Sequence, residues 1–299
     1  MNRPREALPL AFTGTDGNQL VADQYGAAGA PVLLLHGGGQ TRHAWQSTAA
    51  QIARAGHVAV AMDQRGHGDS AWVENGAYRF EDFAADATKV ADDLAKRHGD
   101  RPVAIGASLG GIAILLAQGA ATRAGREPPF SALVLVDITP RVDPNGLKKI
   151  HDFMRSHAAD GFATVEDAAD AVAQYLPHRP RPRSLDGLKK NLRPTSDGRW
   201  RWHWDPRFLG DHQPGSIGRD ELEARMTDAA RTLTCPVLLV RGAASELVQE
   251  EHVREFAALV PQAQYADVAG ARHMVAGDRN DAFSTTILSF LASLDQSRA

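Results

Sequence analysis

A lone serine stands among residues with almost no side chain in Gly106-Ala107-Ser108-Leu109-Gly110, and Gly111 follows. A neutral hydroxyl is a weak nucleophile. A site that uses one needs a base to take its proton, and donors for the charge that builds on the attacked carbonyl oxygen. The apolar run "PVAI" leads into the serine, and a helical pattern from Ile112 to Ala121 follows it. A strand turning this sharply into a helix strains the central residue and lifts its side chain clear. The turn tolerates only small neighbours, which gives Gly106, Gly110 and Gly111 a steric purpose. The helix also presents its positive end to the hydroxyl. G-x-S-x-G in this setting makes Ser108 the candidate nucleophile. The rival reading, a phosphate-binding turn, lacks both the P-loop lysine and a G-x-G-x-x-G match.

The base is sought among twelve histidines. His273, in "VAGARHMVAGD", follows the last strand pattern and precedes the last helix pattern. Loops at the C-terminal ends of parallel strands gather on one edge, so His273 is expected beside Ser108. His36 and His67 share that edge, but each sits in a glycine-rich turn and reads as a turn-stabilising group. His98, His151, His157 and His252 fall in helical patterns and are expected to face solvent. For the oxyanion, "LLLHGGGQ" offers a loop poor in side chains. Its Gly38 N–H and the Leu109 N–H are the candidate donors. A plain tight turn is the competing reading of those glycines. Trp45, Leu109, Phe153, Met154 and Met274 are candidate walls of an apolar acyl pocket, with core packing the alternative for each.

Positioning these groups calls for a strand–helix alternation, and the chain has one. Apolar runs at "PVLLL", "HVAVAM", "RPVAIGA", "SALVLVD", "CPVLLVRG" and "AQYADVAG" suit strands buried on both faces of a mainly parallel sheet. Helical patterns lie at Phe83–Arg97, Ile112–Ala121, Val253–Val260 and Phe283–Leu294, predicting a doubly wound α/β fold. The residues through Tyr25 are expected to form an antiparallel edge hairpin around "GTDGNQ". No buried-strand run occurs between Pro140 and Met226. Leu147, Ile150, Phe153 and Met154 fit one helix face there. Val165, Ala168, Ala169, Val172 and Leu176 fit a second, and Leu185, Leu188 and Leu192 a third. "LPHRPRPRS" reads as an extended solvated connector, and Trp200, Trp202 and Trp204 line one face of a short extended piece. Residues 140–226 are therefore expected to be a helical lid inserted in a core formed by 1–139 and 227–299.

With 299 residues, 43% of them hydrophobic, the chain can bury a large core, and a net charge of −3 gives nucleic acid or an anionic membrane no strong hold. One cysteine, Cys235, excludes an internal disulfide and fits a reducing compartment. "MNRPREALPL" lacks the apolar segment of a signal peptide, and no apolar run approaches the roughly 20 residues that span a bilayer. The expectation is a cytoplasmic protein, with a homodimer left open.

"LHGGG", "DQRGHGDS", "GASLGG", "LVLVDITP", "PVLLVRG" and "GARHMVAGD", in this order, resemble the α/β-hydrolase superfamily over nearly the whole chain. The resemblance implies an eight-stranded, mostly parallel sheet, a lid after the sixth strand, a serine nucleophile and a late histidine. Lidded relatives include carboxylesterases, lactonases, carbon–carbon bond hydrolases and cofactor-free perhydrolases. Epoxide hydrolases and haloalkane dehalogenases of the family use an aspartate nucleophile, so Ser108 argues against both. The family usually places the third catalytic group, an acid, three residues after the glycine that ends the seventh strand. Here that position is Ser245. Glu246 next to it is one substitute. Asp137, closing "ALVLVD", is the other, and "VDITP" resembles lidded esterases that draw the acid from this strand end. Asp137 is favoured because it needs no unusual reach.

The expected activity is hydrolysis of a small-molecule ester or lactone through an acyl-enzyme, with no metal or organic cofactor. Three rivals are weighed. A metal hydrolase built on His203, Asp205, Asp211 and His212 lacks a recognised ligand spacing. A non-catalytic ligand-binding member of the fold does not need the intact Ser108 and His273. A Cys235 nucleophile lacks the elbow.

Overall fold

The apolar runs Pro31–Leu35, Val58–Met62, Ala132–Val136 and Val237–Gly242 become strands here because both their faces are covered, whereas Gln264–Val268, expected to be buried on both faces, is an edge strand largely open to solvent. The computed structural model describes residues 7–179, 181, 184–210 and 217–298. The chain opens with β1 (Leu8–Thr13), β2 (Gln19–Tyr25), β3 (Pro31–Leu35), α1 (Gln46–Arg54), β4 (Val58–Met62), α2 (Phe80–His98), β5 (Val103–Ala107), α3 (Leu109–Arg123) and β6 (Ala132–Val136). An inserted segment follows, with α4 (Pro144–Ser156), α5 (Val165–Tyr175), α6 (Asp186–Lys189), β7 (Leu192–Pro194) and β8 (Trp200–Trp202), and the chain then returns to the core with α7 (Arg219–Arg231). The chain closes with β9 (Val237–Gly242), α8 (Glu250–Leu259), β10 (Gln264–Val268), α9 (Val275–Asp278) and α10 (Asn280–Arg298). Single turns of 3-10 helix stand at Arg42–Trp45 and Pro206–Leu209.

Eight strands form one sheet in the order β1-β2-β4-β3-β5-β6-β9-β10. The β1–β2 hairpin joins β4 antiparallel, and every pair from β4 to β10 is parallel. The pleat sorts the apolar runs by alternate residues. Leu33, Leu35, Val60, Ala104, Leu135 and Leu239 pack with residues of α2, α3, α7 and α8. Val32, Leu34, Ala59, Ile105, Val134 and Val240 pack with α1 and α10. α3 is buried nearly all round because α2 and α7 cover the side that the sheet does not.

The inserted segment has a small core of its own: Met154, Phe162, Val165, Ala168, Leu192, Trp202 and Trp204. Trp202 and Trp204 stack at 4.9 Å. The third helical pattern shrinks to the single turn α6, and Leu192 instead opens β7, which pairs antiparallel with β8. Pro194 explains the change, since proline cannot extend a helix and biases its predecessor to extended backbone. The boundary expected at 226 falls inside α7. Met226, Ala229 and Ala230 belong to the cluster under the sheet, so this helix is part of the core layer. His252 also departs from expectation: it is buried, its Nδ1 accepting the Gln249 N–H at 3.0 Å at the start of α8. Residues 180, 182 and 183 of the arginine–proline connector lie outside the described residues, as do residues 1–6. Arg179 is not simply solvated, because its Nε donates to Asp278 at 2.5 Å. Among the described residues no helix is long and apolar enough to cross a membrane.

Candidate active site

The β5–α3 junction puts Ser108 at φ 46°, ψ −110°, a conformation that a non-glycine residue adopts only under constraint. A β-carbon on Gly106 would lie 2.4 Å from the Gly110 backbone, and one on Gly110 would lie 2.4 Å from the Leu35 carbonyl oxygen. The small neighbours are thus a packing requirement. The Ser108 N–H donates to the Val136 carbonyl at 3.2 Å, which sets the nucleophile candidate beside the end of β6.

Asp137 is the next residue of that strand. It is fully buried and, like Ser108, has a positive φ, of 51°. Its Oδ2 accepts from His273 Nδ1 at 2.7 Å and from the Ser245 hydroxyl at 2.6 Å, while Oδ1 accepts the Gly242 N–H at 3.1 Å. Ser245 Oγ in turn accepts the N–H groups of Leu247 and Val248 at 3.0 and 3.1 Å. Ser245 therefore serves as a donor to the Asp137 carboxylate on the neighbouring strand. Glu246 does not reach the imidazole: its Oε2 is buried without a hydrogen-bond partner among the described residues. Ser108 Oγ and His273 make no hydrogen bond to each other in this structure. With Asp137 accepting from Nδ1–H, the His273 Nε2 is left as the acceptor that a base requires.

The loop after β3 completes the site. Gln40 N–H donates back to the Gly37 carbonyl at 3.1 Å, and the Gly38 N–H has no acceptor among the described residues. The Leu109 N–H stands at the first position of α3, where no intrahelical acceptor exists. Around the loop lie three buried imidazoles. His36 Nδ1 donates to the Gly37 carbonyl at 2.8 Å and its Nε2 accepts the Gln64 N–H at 3.1 Å. His67 Nδ1 donates to Arg65 O at 2.9 Å and its Nε2 accepts the Gly39 N–H at 3.2 Å. His203 Nδ1 accepts the Gly68 N–H at 2.6 Å and its Nε2 faces the Gly39 carbonyl at 3.2 Å. Burial lowers the His36 pKa to about 4 and, with His36 nearby, that of His67 to about 3; His203 is held well below the ordinary value chiefly by burial. All three are neutral rings with one donor and one acceptor nitrogen. Reading His36 and His67 as turn-stabilising groups matches these bonds. His203, weighed from sequence only as a metal-ligand candidate, reaches the same loop from the inserted segment.

The wall candidates separate. Met154 and Trp204 press on Gly39: a β-carbon there would lie 3.0 Å from Met154 Cε and 3.3 Å from Trp204 Cζ3. Phe208, not foreseen from sequence, would stand 3.4 Å from a β-carbon on Gly38 and packs at 4.9 Å from the His67 ring. Phe153 stacks on Tyr175 at 4.1 Å, and Leu109 packs with Val73, Tyr78, Phe83 and Ala113. Met274 directly follows His273 and is half-buried, its carbonyl accepting from Arg179 at 3.3 Å. Trp45 needs correction as a wall. It is buried with Phe283, ring centroids 5.9 Å apart, in the cluster of α1 and α10. The hydrophobic layer there claims the indole.

Of the metal candidates, His203 is bonded to Gly68 and Gly39, and Asp205 accepts from Tyr78 at 2.6 Å and from Arg207. Asp211 and His212 lie outside the described residues. Burial raises the Cys235 thiol pKa to about 11, which leaves it a poor nucleophile at neutral pH.

Residues 30–279 match the model of the alpha/beta hydrolase fold family. An esterase of Mycobacterium tuberculosis is 30% identical over 238 residues, covering 78% of this chain and 72% of that protein. A non-heme haloperoxidase of Rhodococcus erythropolis is 26% identical over 286 residues, covering 94% of this chain and 98% of its own. Among solved structures, an E-2-(acetamidomethylene)succinate hydrolase superposes with a TM-score of 0.79 at 21% identity, over 95% of this chain and all of that one. The chain belongs to the α/β-hydrolase fold family and is a hydrolase by its likeness to these relatives.

Proposed function

We propose that the protein is a cytoplasmic serine esterase that cleaves a small-molecule ester or lactone through an acyl-enzyme. The observation that carries the reading is the Asp137 carboxylate on His273 Nδ1 at 2.7 Å, at a strand end adjoining the Ser108 elbow. Ser108 Oγ attacks the carbonyl carbon as His273 Nε2 takes its proton. The Gly38 and Leu109 N–H groups hold the oxyanion. The imidazolium, stabilised by Asp137, gives the proton to the leaving alkoxide. Water then attacks the acyl-enzyme with His273 again as base, releasing the acid and the free serine. The inserted segment from Pro140 to Leu209 acts as the lid, with Met154, Trp204 and Phe208 closing the site over the Gly38–Gly39 loop.

The test is covalent labelling with a fluorophosphonate, with kinetics on p-nitrophenyl esters of increasing length and on lactones. Wild type takes one label at Ser108. Ser108→Ala takes none, and its kcat falls about 10⁴-fold or more while the protein stays folded. An alanine variant retaining a tenth of the wild-type kcat would refute the reading. The haloperoxidase relative favours a second reading on the same residues, perhydrolysis, in which hydrogen peroxide replaces water in attacking the acyl-enzyme and releases a peracid. Peracid formation when peroxide is added to the ester assay distinguishes the two.

A further inference from the structure

The peptide that carries the Gly38 N–H is held from its other side. Its carbonyl, that of Gly37, accepts from His36 Nδ1 at 2.8 Å and from the Gln40 N–H at 3.1 Å. A trans peptide is planar with its C=O and N–H opposed, so fixing the carbonyl aims the N–H. The Gln40 N–H belongs to the Gly39–Gln40 peptide, whose carbonyl faces His203 Nε2 at 3.2 Å. Because Gly68 N–H donates to His203 Nδ1 at 2.6 Å, the ring proton must sit on Nε2 and point at Gly39. The bonds therefore run head to tail: Gly68 N–H to His203, His203 N–H to Gly39 C=O, Gln40 N–H to Gly37 C=O, and Gly38 N–H to the substrate oxygen. Each bond in such a chain polarises the next, which strengthens the last donor as well as aiming it. The Gly39 N–H is anchored separately on His67 Nε2 at 3.2 Å.

His203 is the one member of this chain that comes from the inserted segment. It follows β8 and is 1% exposed, so it is withdrawn from solvent between the Gly39 and Gly68 turns. We propose that His203 is a positioning residue for the Gly38 donor, acting through the Gly39–Gln40 and Gly37–Gly38 peptides, so that seating the inserted segment on the loop adds to the aim that His36 already gives the Gly37 carbonyl. The proposal rests on the serine-esterase reading above. Seating the segment then strengthens the electrostatic site, which ties substrate enclosure to reactivity.

Three variants test it on the full chain with p-nitrophenyl acetate as substrate. His203→Phe keeps a ring but neither hydrogen bond. His203→Asn keeps an amide too short to span Gly68 and Gly39, and serves if the phenyl ring upsets packing. His203→Gln carries an acceptor and a donor with the needed reach. The Phe and Asn variants should lose about tenfold in kcat, less than the roughly 10²–10³-fold that follows outright removal of an oxyanion donor, with KM within about twofold. A trifluoromethyl ketone, which forms the oxyanion adduct, should lose affinity by the same factor, and a non-reactive amide analogue should not. The Gln variant should recover most of both losses. Unchanged kcat and ketone affinity in folded Phe and Asn variants overturn the proposal, as does a change confined to KM. Fluorophosphonate labelling separates the two levels. Normal labelling with unaffected His203 variants overturns this inference alone, whereas wild type that takes no label overturns the esterase reading and this inference with it.

Discussion

The two loops proposed to meet at a substrate oxygen, the Ser108 elbow and the turn after β3, are built by opposite means. The elbow is fixed by backbone crowding: β-carbons on Gly106 and Gly110 would each come within 2.4 Å of main-chain atoms. Its strand and helix lie in the middle of the sheet layers and have no freedom to adjust. The loop from Gly37 to Gln40 is not crowded in this way. Its closest neighbours are side chains: Gln40 Oε1 would lie 3.2 Å from a β-carbon on Gly37, Phe208 3.4 Å from one on Gly38 and Met154 Cε 3.0 Å from one on Gly39. Polar side chains from the ends of β3 and β4 and from the inserted segment fix its conformation instead. A nucleophile has to be in one place, and core packing does that. An oxyanion donor has to be aimed, and hydrogen bonds do that at a distance from the core.

The largest effect should come from the group that joins the two, the acid on His273. Asp137→Asn turns one carboxylate oxygen into an NH2 group: at the Oδ2 position it faces the His273 and Ser245 donors together, and at the Oδ1 position it faces the Gly242 N–H, so donors lose their acceptor or the imidazole turns to the wrong tautomer. A fall in kcat of about 10⁴-fold is expected. Glu246→Gln, with no bond to His273, should stay near wild type. Measuring kcat against pH for both variants, with circular dichroism to check folding, decides between them. A crippled Glu246→Gln beside an active Asp137→Asn would place the acid on the loop after β9.

Next in size is the stability contrast between glycines of the two loops. Gly110→Ala drives a methyl to 2.4 Å from Leu35 O, where only backbone movement brings relief. Overpacking of that kind costs about 3 kcal/mol or more. Gly38→Ala places its methyl at ordinary contact distance from Phe208 Cε1 and Cζ, 3.4 Å, and has no positive φ to strain. It should cost less than about 1 kcal/mol. Urea unfolding of both variants measures the contrast. Equal losses would mean that the elbow is no more rigid than the loop.

The same contrast explains what could be read from the sequence. The strands, the edge hairpin and the main helices follow from continuous apolar runs and periodicity, because the sheet buries whole stretches of chain. Ser108 and its glycines are equally legible, since a strained turn demands residue types at fixed spacing. Asp137 was readable only through the family resemblance, from Ser245 standing where the family usually places its acid and from "VDITP" resembling esterases that draw the acid from this strand end. The bond from Ser245 to Asp137 depends on two adjacent strand ends and has no spacing signature. His203 had none for this place and was weighed only as a metal ligand. It lies well over a hundred residues from the loop it touches, and its "WHWDP" setting reads as an aromatic face. Trp45 stayed open between pocket wall and core because an indole next to a glycine loop looks the same in sequence whether it lines a pocket or fills the layer beneath.

The smallest effect sharpens the comparison through charge. The elbow contains no imidazole, whereas the loop is held by rings that must stay neutral. Burial lowers His36 to about 4 and His67 to about 3. In the unfolded chain both take up protons near pH 6.5. Between there and the folded values, the unfolded chain binds more protons than the folded one. The stability tied to these rings is therefore complete above pH 6.5 and is lost as pH falls toward about 4 for His36 and about 3 for His67. The slope cannot exceed about 1.4 kcal/mol per pH unit for each ring. His36→Gln and His67→Gln replace the ring with a neutral amide that does not titrate. Each should cost some stability at pH 7.5 through imperfect hydrogen bonds, and each should then lose less than wild type on the way to pH 4.5. Urea unfolding at intervals across that range reads the slope. A variant curve parallel to wild type would mean that the ring is already charged in the folded protein. In that case the hydrogen bonds from the Gln64 N–H to His36 and from the Gly39 N–H to His67 would have to be redrawn.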